Sequence, residues 1–332
     1  MNELRQNMVT KRWVIIATER AKRPSELTPL STTDPTALPA YDADCPFCPG
    51  NEELDLERLR LPKARNWQVR VVDNLYPALQ PDGESVYTFD GIYRSSSAIG
   101  YHDIVVESPL HNAISALRPA AELVEVFTAF QQRSRAIAQD VRMEHVVCFK
   151  NHGSMAGSSM HHPHAQIIGL PIVPTDIRAR LEEVRRYYEN TGACGLCTML
   201  DREREDGKRI IIEGEHATAF IPYAAFSPFH IWIVPHRHQA HFRYADPESC
   251  AGVATVLHGI LRKLYKGVGN PDFNYVVRTS PVKEAHPEYV HWYVTVVPRV
   301  TRLAGFELGA DMFINPTLPE ESAAFLRSID ST

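Results

Sequence analysis

Short apolar runs bounded by turn-forming residues recur along the chain and predict strands. They are rich in Val, Ile and aromatic residues, which suit a pleated and half-buried surface. The runs cover residues 12–18, 67–79, 102–108, 145–153 and 164–170, and then 217–224, 230–235, 273–280 and 290–298.

Three further segments repeat apolar residues at helical spacing, which predicts amphipathic helices. The first covers residues 119–138, the second runs from 175 to about 190, and the third begins at 247. The apolar stripes of the first and third helices are Leu123, Val126, Phe127 and Phe130, and Val253, Val256, Leu257, Ile260, Leu261 and Leu264.

The ends of the second and third helices carry start and stop signals. Thr175 or Asp176 is predicted to cap the second helix, and Gly192 is predicted to end it. Asp246 is predicted to cap the third helix, with Pro247 at the first helical position. The helices are therefore predicted to begin and end at these residues.

Consecutive strands without helices between them indicate mainly antiparallel sheets, and hence an α+β fold. The order of strands and helices in residues 1–172 is repeated in residues 173–332. We therefore predict two similar tandem domains with these bounds, each a set of antiparallel strands flanked by helices.

Four of the six cysteines form two C-x-x-C pairs, and each pair is followed by two histidines at strand-like segments. The order Cys, Cys, His, His thus occurs twice, and matching positions lie 149, 127 and 129 residues apart. Such regularity indicates an internal duplication. Two Cys and two His complete the tetrahedral shell of a structural zinc site. The predicted ligands are Cys45, Cys48, His111 and His162, and Cys194, Cys197, His238 and His291.

Two other interpretations of these residues stay open at this point. A histidine that ends an apolar strand is often structural, and a C-x-x-C pair also occurs in redox proteins. Metal analysis and thiol titration would separate these alternatives from zinc binding.

Composition indicates a soluble globular protein: 44% of the 332 residues are hydrophobic and 23% are charged. The net charge of -5 argues against broad binding to nucleic acid or to an anionic membrane. No apolar run approaches the ~18 residues of a membrane helix, and no signal peptide is recognisable. A cytoplasmic location is therefore expected.

Residues 151–171 carry the most informative chemistry. In a strand His162, His164 and Gln166 share one face, whereas His161 points away. The preceding glycine- and serine-rich loop, which includes Gly157, lets backbone amides approach an anion. A histidine beside bound phosphate can attack phosphorus and later leave, which divides one transfer into two steps. A purely structural metal cluster is the alternative.

Sequence motifs along almost the whole chain resemble those of galactose-1-phosphate uridylyltransferases, a branch of the histidine-triad superfamily. The most specific is H-P-H-A-Q at residues 162–166, which matches the signature H-P-H-x-Q. The others are RWVIIATERAKRP at 12–24, CPFCPGNE at 45–52, RVVDNLYPAL at 70–79, ESPLHN at 107–112, PFHIWIVPHRH at 228–238 and VHWYVTVVPR at 290–299.

The resemblance implies a ping-pong nucleotidyl transferase in which His164 forms a covalent nucleotidyl-histidine. It implies that Gln166, Ser158 and Ser159 contact the phosphoryl group. Zinc at the first Cys2His2 set would be structural and would fix the direction of His164, which lies two residues from His162. Asn74, Asp73 and Asn151 would hold ribose or phosphate, and Arg20 and Arg23 would lie near the nucleotide phosphates.

The second half is predicted to keep a metal but no chemistry, because Tyr293 stands where the first half has His164. The family's hexose-contacting segment corresponds to residues 305–311, where Phe306 and Asp311 are retained as candidate contacts. This segment lacks the lysine and tyrosine of the uridylyltransferases. That departure, the second C-x-x-C and Ser158 resemble the plant-type ADP-glucose phosphorylase branch.

The main hypothesis is transfer of uridylyl from UDP-glucose to a hexose 1-phosphate such as galactose 1-phosphate, in a homodimer that the resemblance implies. The first alternative is an ADP-glucose phosphorylase, which passes an adenylyl group to phosphate. Less favoured are a nucleotide-sugar hydrolase, in which water resolves the intermediate, and a non-enzymatic zinc protein that binds nucleotide.

Overall fold

The computed structural model describes residues 2–22, 38–63, 66–284, 287–302 and 304–330. The strands are β1 (Glu3–Gln6), β2 (Trp13–Ile16), β3 (Glu57–Leu61), β4 (Val69–Asp73), β5 (Tyr87–Asp90), β6 (Tyr93–Ser96), β7 (Tyr101–Val106), β8 (His145–His152), β9 (His164–Leu170), β10 (Ile210–Glu213), β11 (Ala217–Phe220), β12 (Ile231–Pro235), β13 (Phe273–Arg278), β14 (Tyr293–Pro298) and β15 (Phe313–Asn315). The α-helices are α1 (Ala120–Ile137), α2 (Thr175–Thr191), α3 (Gly195–Asp206), α4 (Pro247–Val268), α5 (Gly305–Ala310) and α6 (Pro319–Ser328).

Ten strands form one antiparallel sheet in the order β10-β11-β12-β14-β13-β8-β9-β7-β4-β3. Five strands come from each half of the chain, and the order outward from the centre is the same on both sides. The halves meet where β8 pairs with β13, with Cys148 opposite Val277 and Asn151 opposite Asn274. The α+β prediction is confirmed, while the domain boundary at residue 172 stays a prediction.

Helices α1 and α4 pack against each other and against one face of the sheet. Their buried residues include the apolar stripes predicted for both helices. Asp246 Oδ1 accepts a hydrogen bond from the Ser249 amide at 2.8 Å and caps α4 as predicted. This face forms the main core. On the opposite face a smaller core packs α2 and α3 against the strands of the second half.

The second predicted helix begins at Thr175, but its N-cap is Pro174, and the expected cap at Thr175 or Asp176 is wrong. The Asp176 carboxylate pairs instead with Arg12 at 2.8 Å and Arg180 at 2.9 Å. Gly192 ends the helix with a φ of 71°, as predicted.

Several elements lacked a periodic signal and were not predicted. Helix α3 begins at the second C-x-x-C, and β15 joins β2 in parallel to extend an N-terminal hairpin. Strands β5 and β6 form a hairpin in which every residue is exposed. Within the described ranges, no helix is both long and apolar enough to cross a bilayer.

Candidate active site and metal centres

The first metal cluster lies at one end of β9. Its four candidate ligand atoms lie within 4.8 Å of one another, and all four residues are buried. Cys45 and Cys48 face each other across a tight turn, in which the Cys48 amide donates to the Cys45 carbonyl at 3.2 Å. His111 follows β7, and His162 precedes β9.

The distances in this cluster match a tetrahedral zinc site. Cys45 Sγ lies 3.6 Å from His162 Nδ1, and Cys48 Sγ lies 3.6 Å from His111 Nδ1. Zinc bonded to sulfur at about 2.3 Å and to nitrogen at about 2.0 Å would separate them by about 3.6 Å. Burial also raises the pKa of the Cys48 thiol to about 11, so a thiolate here needs a nearby cation. The two cysteines and two histidines of this cluster therefore fit a zinc ion.

His164, the predicted nucleophile, is the first residue of β9 and is 6% exposed. Its Nδ1 lies 2.9 Å from the His162 carbonyl, so Nδ1 carries the proton and donates it. Nε2 therefore keeps its lone pair. Burial lowers the pKa of His164, and the charge of Lys150 acts in the same direction. A neutral imidazole with a free Nε2 has the form that attacks phosphorus.

A buried polar network supports the backbone of His164 from the helical face. Lys150 Nζ donates to the His164 carbonyl at 3.3 Å and also to the Glu107 carboxylate. The Tyr275 hydroxyl donates to Glu107 Oε1 at 3.3 Å. Because Lys150, Glu107 and Tyr275 are all buried, they hold the start of β9 rigidly. A metal bound by His162, together with this network, would therefore hold His164 from two sides.

Gln166 is oriented by His102 of β7, which was not among the predicted site residues. The Ala78 amide donates to His102 Nδ1 at 3.0 Å, so the proton of His102 lies on Nε2. That nitrogen donates to Gln166 Oε1 at 2.9 Å. Asn74 lies beside the pair, with its Nδ2 3.2 Å from the same nitrogen. With its oxygen engaged, Gln166 presents its amide hydrogens to the site, where charge develops on phosphoryl oxygens.

Replacing His102 with alanine is expected to slow nucleotidyl transfer about 10-fold to 100-fold, since about 1.4–2.8 kcal/mol of transition-state stabilisation depends on Gln166 orientation. Single-turnover kinetics would measure this change. The matched control is His230→Ala, which removes the corresponding 2.9 Å contact with Thr295 in the second half. Equal losses in the two folded variants would contradict the assignment.

The loop before β9 is fixed by the second half of the chain. Gly153 and Gly157 have φ angles of 82° and 90°, which favour glycine. A Cβ on Gly153 would lie 2.0 Å from Asp272 Oδ1, and the Met155 amide donates to Asp272 Oδ2 at 2.7 Å. The loop therefore packs against Asp272, the residue that precedes β13.

Asn151, a predicted phosphate or ribose contact, is held by Asn274 of β13. Asn274 Nδ2 donates to Asn151 Oδ1 and to the Ala156 carbonyl, both at 2.8 Å. Arg299 Nε donates to Asn274 Oδ1 at 2.6 Å. With its oxygen occupied, Asn151 presents its amide nitrogen near Gly157. The second half therefore positions groups of the first half's site.

Replacing Asn274 with alanine is expected to slow formation of the nucleotidyl-enzyme about 10-fold, because about 1.4 kcal/mol of preorganisation is lost. Rapid-quench measurement of the adduct would show this. Asn190→Ala, on an exposed position of α2, is the neutral control. An unchanged rate in Asn274→Ala would show that Asn151 and the loop do not need this support.

Two of the remaining predicted contacts, Ser158 and Asp73, have other described partners. The Ser158 hydroxyl donates to the Met160 carbonyl at 2.9 Å, and Ser159 is exposed. Asp73 pairs with Arg58. Arg20 lies in a short 3-10 helix, and Arg23 lies outside the described residues. Their roles at the site stay predictions.

Phe306 and Asp311 lie in and just after α5. Phe306 is 45% exposed, and Asp311 pairs with Arg12 at 3.3 Å. Arg12 precedes β2, so this segment adjoins the N-terminal hairpin. The predicted contact of these two residues with a hexose stays a prediction.

The second metal cluster has the same ligand types as the first but is more open. Its four ligand atoms also lie within 4.8 Å of one another. Cys197 Sγ lies 3.2 Å from His238 Nδ1 and 3.3 Å from His291 Nδ1. His238 is exposed, whereas Cys194 and His291 are buried. The two clusters could each hold a metal ion, and their donor sets are compatible with zinc.

The repeated five-stranded halves, and a His-x-His segment in which His162 belongs to a metal cluster and His164 begins β9, agree with the histidine-triad-like fold that the sequence predicts. Residues 1–174 match the family "Galactose-1-phosphate uridyl transferase, N-terminal domain". The chain is 37% identical to ADP-glucose phosphorylase of Arabidopsis thaliana, with 99% of this chain and 93% of that protein covered. It is 28% identical to galactose-1-phosphate uridylyltransferase of Thermotoga maritima, covering 99% of each.

Solved structures show the same relationship over the full length. The crystal structure of the Arabidopsis thaliana ADP-glucose phosphorylase with bound ADP-glucose has a TM-score of 0.85 and 33% identity, covering 100% of both chains. A uridylyltransferase structure has a TM-score of 0.77 and 26% identity, covering 99% of this chain and 98% of that one. The chain belongs to the galactose-1-phosphate uridylyltransferase family. It is a nucleotidyltransferase.

Proposed function

We propose that the protein is an ADP-glucose phosphorylase, which transfers an adenylyl group from ADP-glucose to phosphate through His164. The observation that carries this proposal is the 37% identity with the Arabidopsis enzyme of that name over 99% of the chain. The absence of the uridylyltransferases' lysine and tyrosine from residues 305–311 favours the same substrate.

The first step is attack of His164 Nε2 on the α-phosphorus of ADP-glucose. A nitrogen–phosphorus bond forms, and the bond from the α-phosphorus to the bridging oxygen breaks, so glucose 1-phosphate leaves. The Nδ1 proton stays on the imidazole and continues to donate to the His162 carbonyl. Gln166 donates to the phosphoryl oxygens as charge develops on them.

In the second step a phosphate oxygen attacks the same phosphorus, and the nitrogen–phosphorus bond breaks. ADP leaves, and His164 recovers its neutral form. The reacting groups must be aligned for both displacements, which explains why the first residue of β9 is held so firmly.

Zinc is the metal that we propose for both Cys2His2 sets. It would hold Cys45, Cys48, His111 and His162 in the first half, and the corresponding four residues in the second. In the first set it would supply structural rigidity by fixing His162, whose carbonyl orients His164. With all four positions taken by side chains, the metal would have no open position for substrate.

Transfer of uridylyl from UDP-glucose to a hexose 1-phosphate is the second candidate. The family match over residues 1–174 and the 28% identity with the Thermotoga maritima enzyme favour it. Both candidates use the same histidine and the same type of intermediate, a nucleotidyl-histidine. They differ in the base and in the acceptor.

The test is to mix the protein separately with ADP-glucose and UDP-glucose, without acceptor, and to measure intact mass at neutral to alkaline pH. An adenylyl adduct that phosphate releases as ADP would support the first proposal. A uridylyl adduct released by galactose 1-phosphate would replace it with the second. Steady release of a nucleoside monophosphate without acceptor would instead indicate a hydrolase.

A further inference from the structure

A cavity of about 80 Å³ lies between α2 and the strands β8, β13 and β14. Tyr293, the first residue of β14, lines it, just as His164 is the first residue of β9 in the catalytic half. Its walls are otherwise mostly aliphatic side chains, among them Val147, Val276 and Leu181. The cavity therefore lies where the duplicated half would carry its own reaction site.

The correspondence between the two halves extends to a hydrogen bond. In the second half His230 Nε2 lies 2.9 Å from Thr295 Oγ1, and in the first half His102 Nε2 lies 2.9 Å from Gln166 Oε1. These pairs occupy the same places on adjacent strands of each half. The second half thus retains the hydrogen-bonding arrangement of the site but has Tyr293 in place of the histidine.

Four buried polar atoms of residues that line this cavity have no hydrogen-bond partner among the described residues. They are His291 Nε2, His145 Nδ1, Arg278 Nε and Arg180 Nε, the last of which forms only an ion pair, with Asp176. His291 is 4% exposed and His145 is 2% exposed. Buried polar groups are nearly always paired, so a ligand in the cavity is the natural partner for them.

His291 shows the difference from the catalytic half most directly. In the first half the corresponding ligand His162 points its Nε2 at the Ser108 carbonyl, 2.8 Å away. His291 also points Nδ1 at its metal cluster, 3.3 Å from Cys197 Sγ, so its proton lies on Nε2. Nε2 of His291 has no such carbonyl acceptor among the described residues, and His291 is one of the residues that line the cavity.

Positive charge is concentrated on the same walls. Arg278 and Arg180 both line the cavity, and no acidic residue does. Arg180 Nη1 lies 3.4 Å from the Tyr293 hydroxyl, and its Nε pairs with Asp176 at 2.9 Å. Arg278 has no carboxylate within ion-pair distance in the part of the chain that the structure describes. Apolar walls strengthen the attraction of such a cation for an anion.

We propose that this cavity binds a small oxyanion of the phosphate class. Arg278 and Arg180 supply the charge, and His291 Nε2 supplies a neutral donor. One water molecule needs about 10–15 Å³ of such a cavity volume. The cavity therefore accepts a group of about five heavy atoms but no nucleoside. The bound anion joins α2 to the central strands, separately from the reaction at His164.

Hydrogen–deuterium exchange of peptides from α2 and β13 tests the proposal. Excess inorganic phosphate, compared with chloride at equal ionic strength, is expected to slow their exchange about tenfold. The same protection is expected in His164→Ala, because it does not depend on the covalent reaction. Variants of Arg278 and Arg180 separate this cavity from the catalytic pocket, where the proposed function also requires phosphate to bind. Arg278→Met should lose the protection, whereas Arg237→Met, at an arginine whose side chain is 70% exposed, should keep it.

Arg180→Met is the second variant, because Arg180 is on α2 and its loss leaves the central strands intact. If Arg278→Met fails to fold, Arg180→Met still tests the proposal, because it too should lose most of the protection. Wild-type protein without phosphate-dependent protection would overturn the proposal. Full protection in a folded Arg278→Met or Arg180→Met protein would also overturn it.

Discussion

Replacing His164 with alanine is expected to abolish the covalent nucleotidyl-enzyme and to lower turnover by about 10⁴-fold or more. The reason is that the imidazole supplies the only bond through which the nucleotide is carried from donor to acceptor. Intact mass after incubation with ADP-glucose or UDP-glucose would show the adduct in the wild type and none in the variant. Turnover would be measured by release of hexose 1-phosphate.

His161→Ala is the matched control, since it removes an imidazole three residues nearer the N-terminus whose side chain is exposed. This variant should form the adduct at close to the wild-type rate. A nucleotidyl adduct of normal yield in folded His164→Ala protein would assign the nucleophile elsewhere. An adduct lost only in His161→Ala would do the same.

The second large effect is expected on removal of the first metal. Cys48→Ser should lower the metal content by about one equivalent and slow adduct formation about 100-fold, because the His162 carbonyl no longer orients His164. Metal analysis and rapid-quench kinetics measure the two effects. Thermal unfolding should show a lower midpoint as well, since metal binding at such a site contributes to folding.

The corresponding change in the second cluster, Cys197→Ser, provides the comparison. It should also remove about one equivalent of metal but leave adduct formation within about threefold of the wild type, because the second half, with Tyr293 in place of His164, is predicted to carry no chemistry. If both variants lose the adduct equally, the two metals act through global stability. If neither variant loses metal, the clusters do not bind it.

Much of the metal and nucleophile arrangement could be predicted from the sequence, because it depends on local geometry. The alternation of side chains along a strand is enough to place His164 and Gln166 on one face, whereas His162 precedes β9. The duplicated order of cysteines and histidines indicated the ligand sets, and both sets are brought together. Short-range patterns also predicted helices α1 and α4 and the apolar residues that they bury.

Contacts across strands could not be predicted in this way. His102 reaches Gln166 only because β7 pairs with β9 in a particular register. Asn274 reaches Asn151 only because the two halves join through β8 and β13. Pairing register between distant segments has no signature in periodicity.

The Ser158 hydroxyl illustrates a further limit. The family motif implies a phosphoryl contact, but the hydroxyl donates to the Met160 carbonyl. Rotation of a short side chain in a glycine-rich loop depends on local hydrogen bonds, which sequence similarity does not specify. Its role depends on whether a bound nucleotide turns it.

The pairing of β8 with β13 has a consequence for any attempt to express the catalytic half alone. A fragment ending near residue 172 would leave the backbone N–H and C=O groups of β8 unpaired along an open edge. Such an edge recruits strands from other molecules, so the fragment should aggregate or pair with a second copy of itself. The second half thus covers this edge through β13, and we expect neither half to be stable without the other.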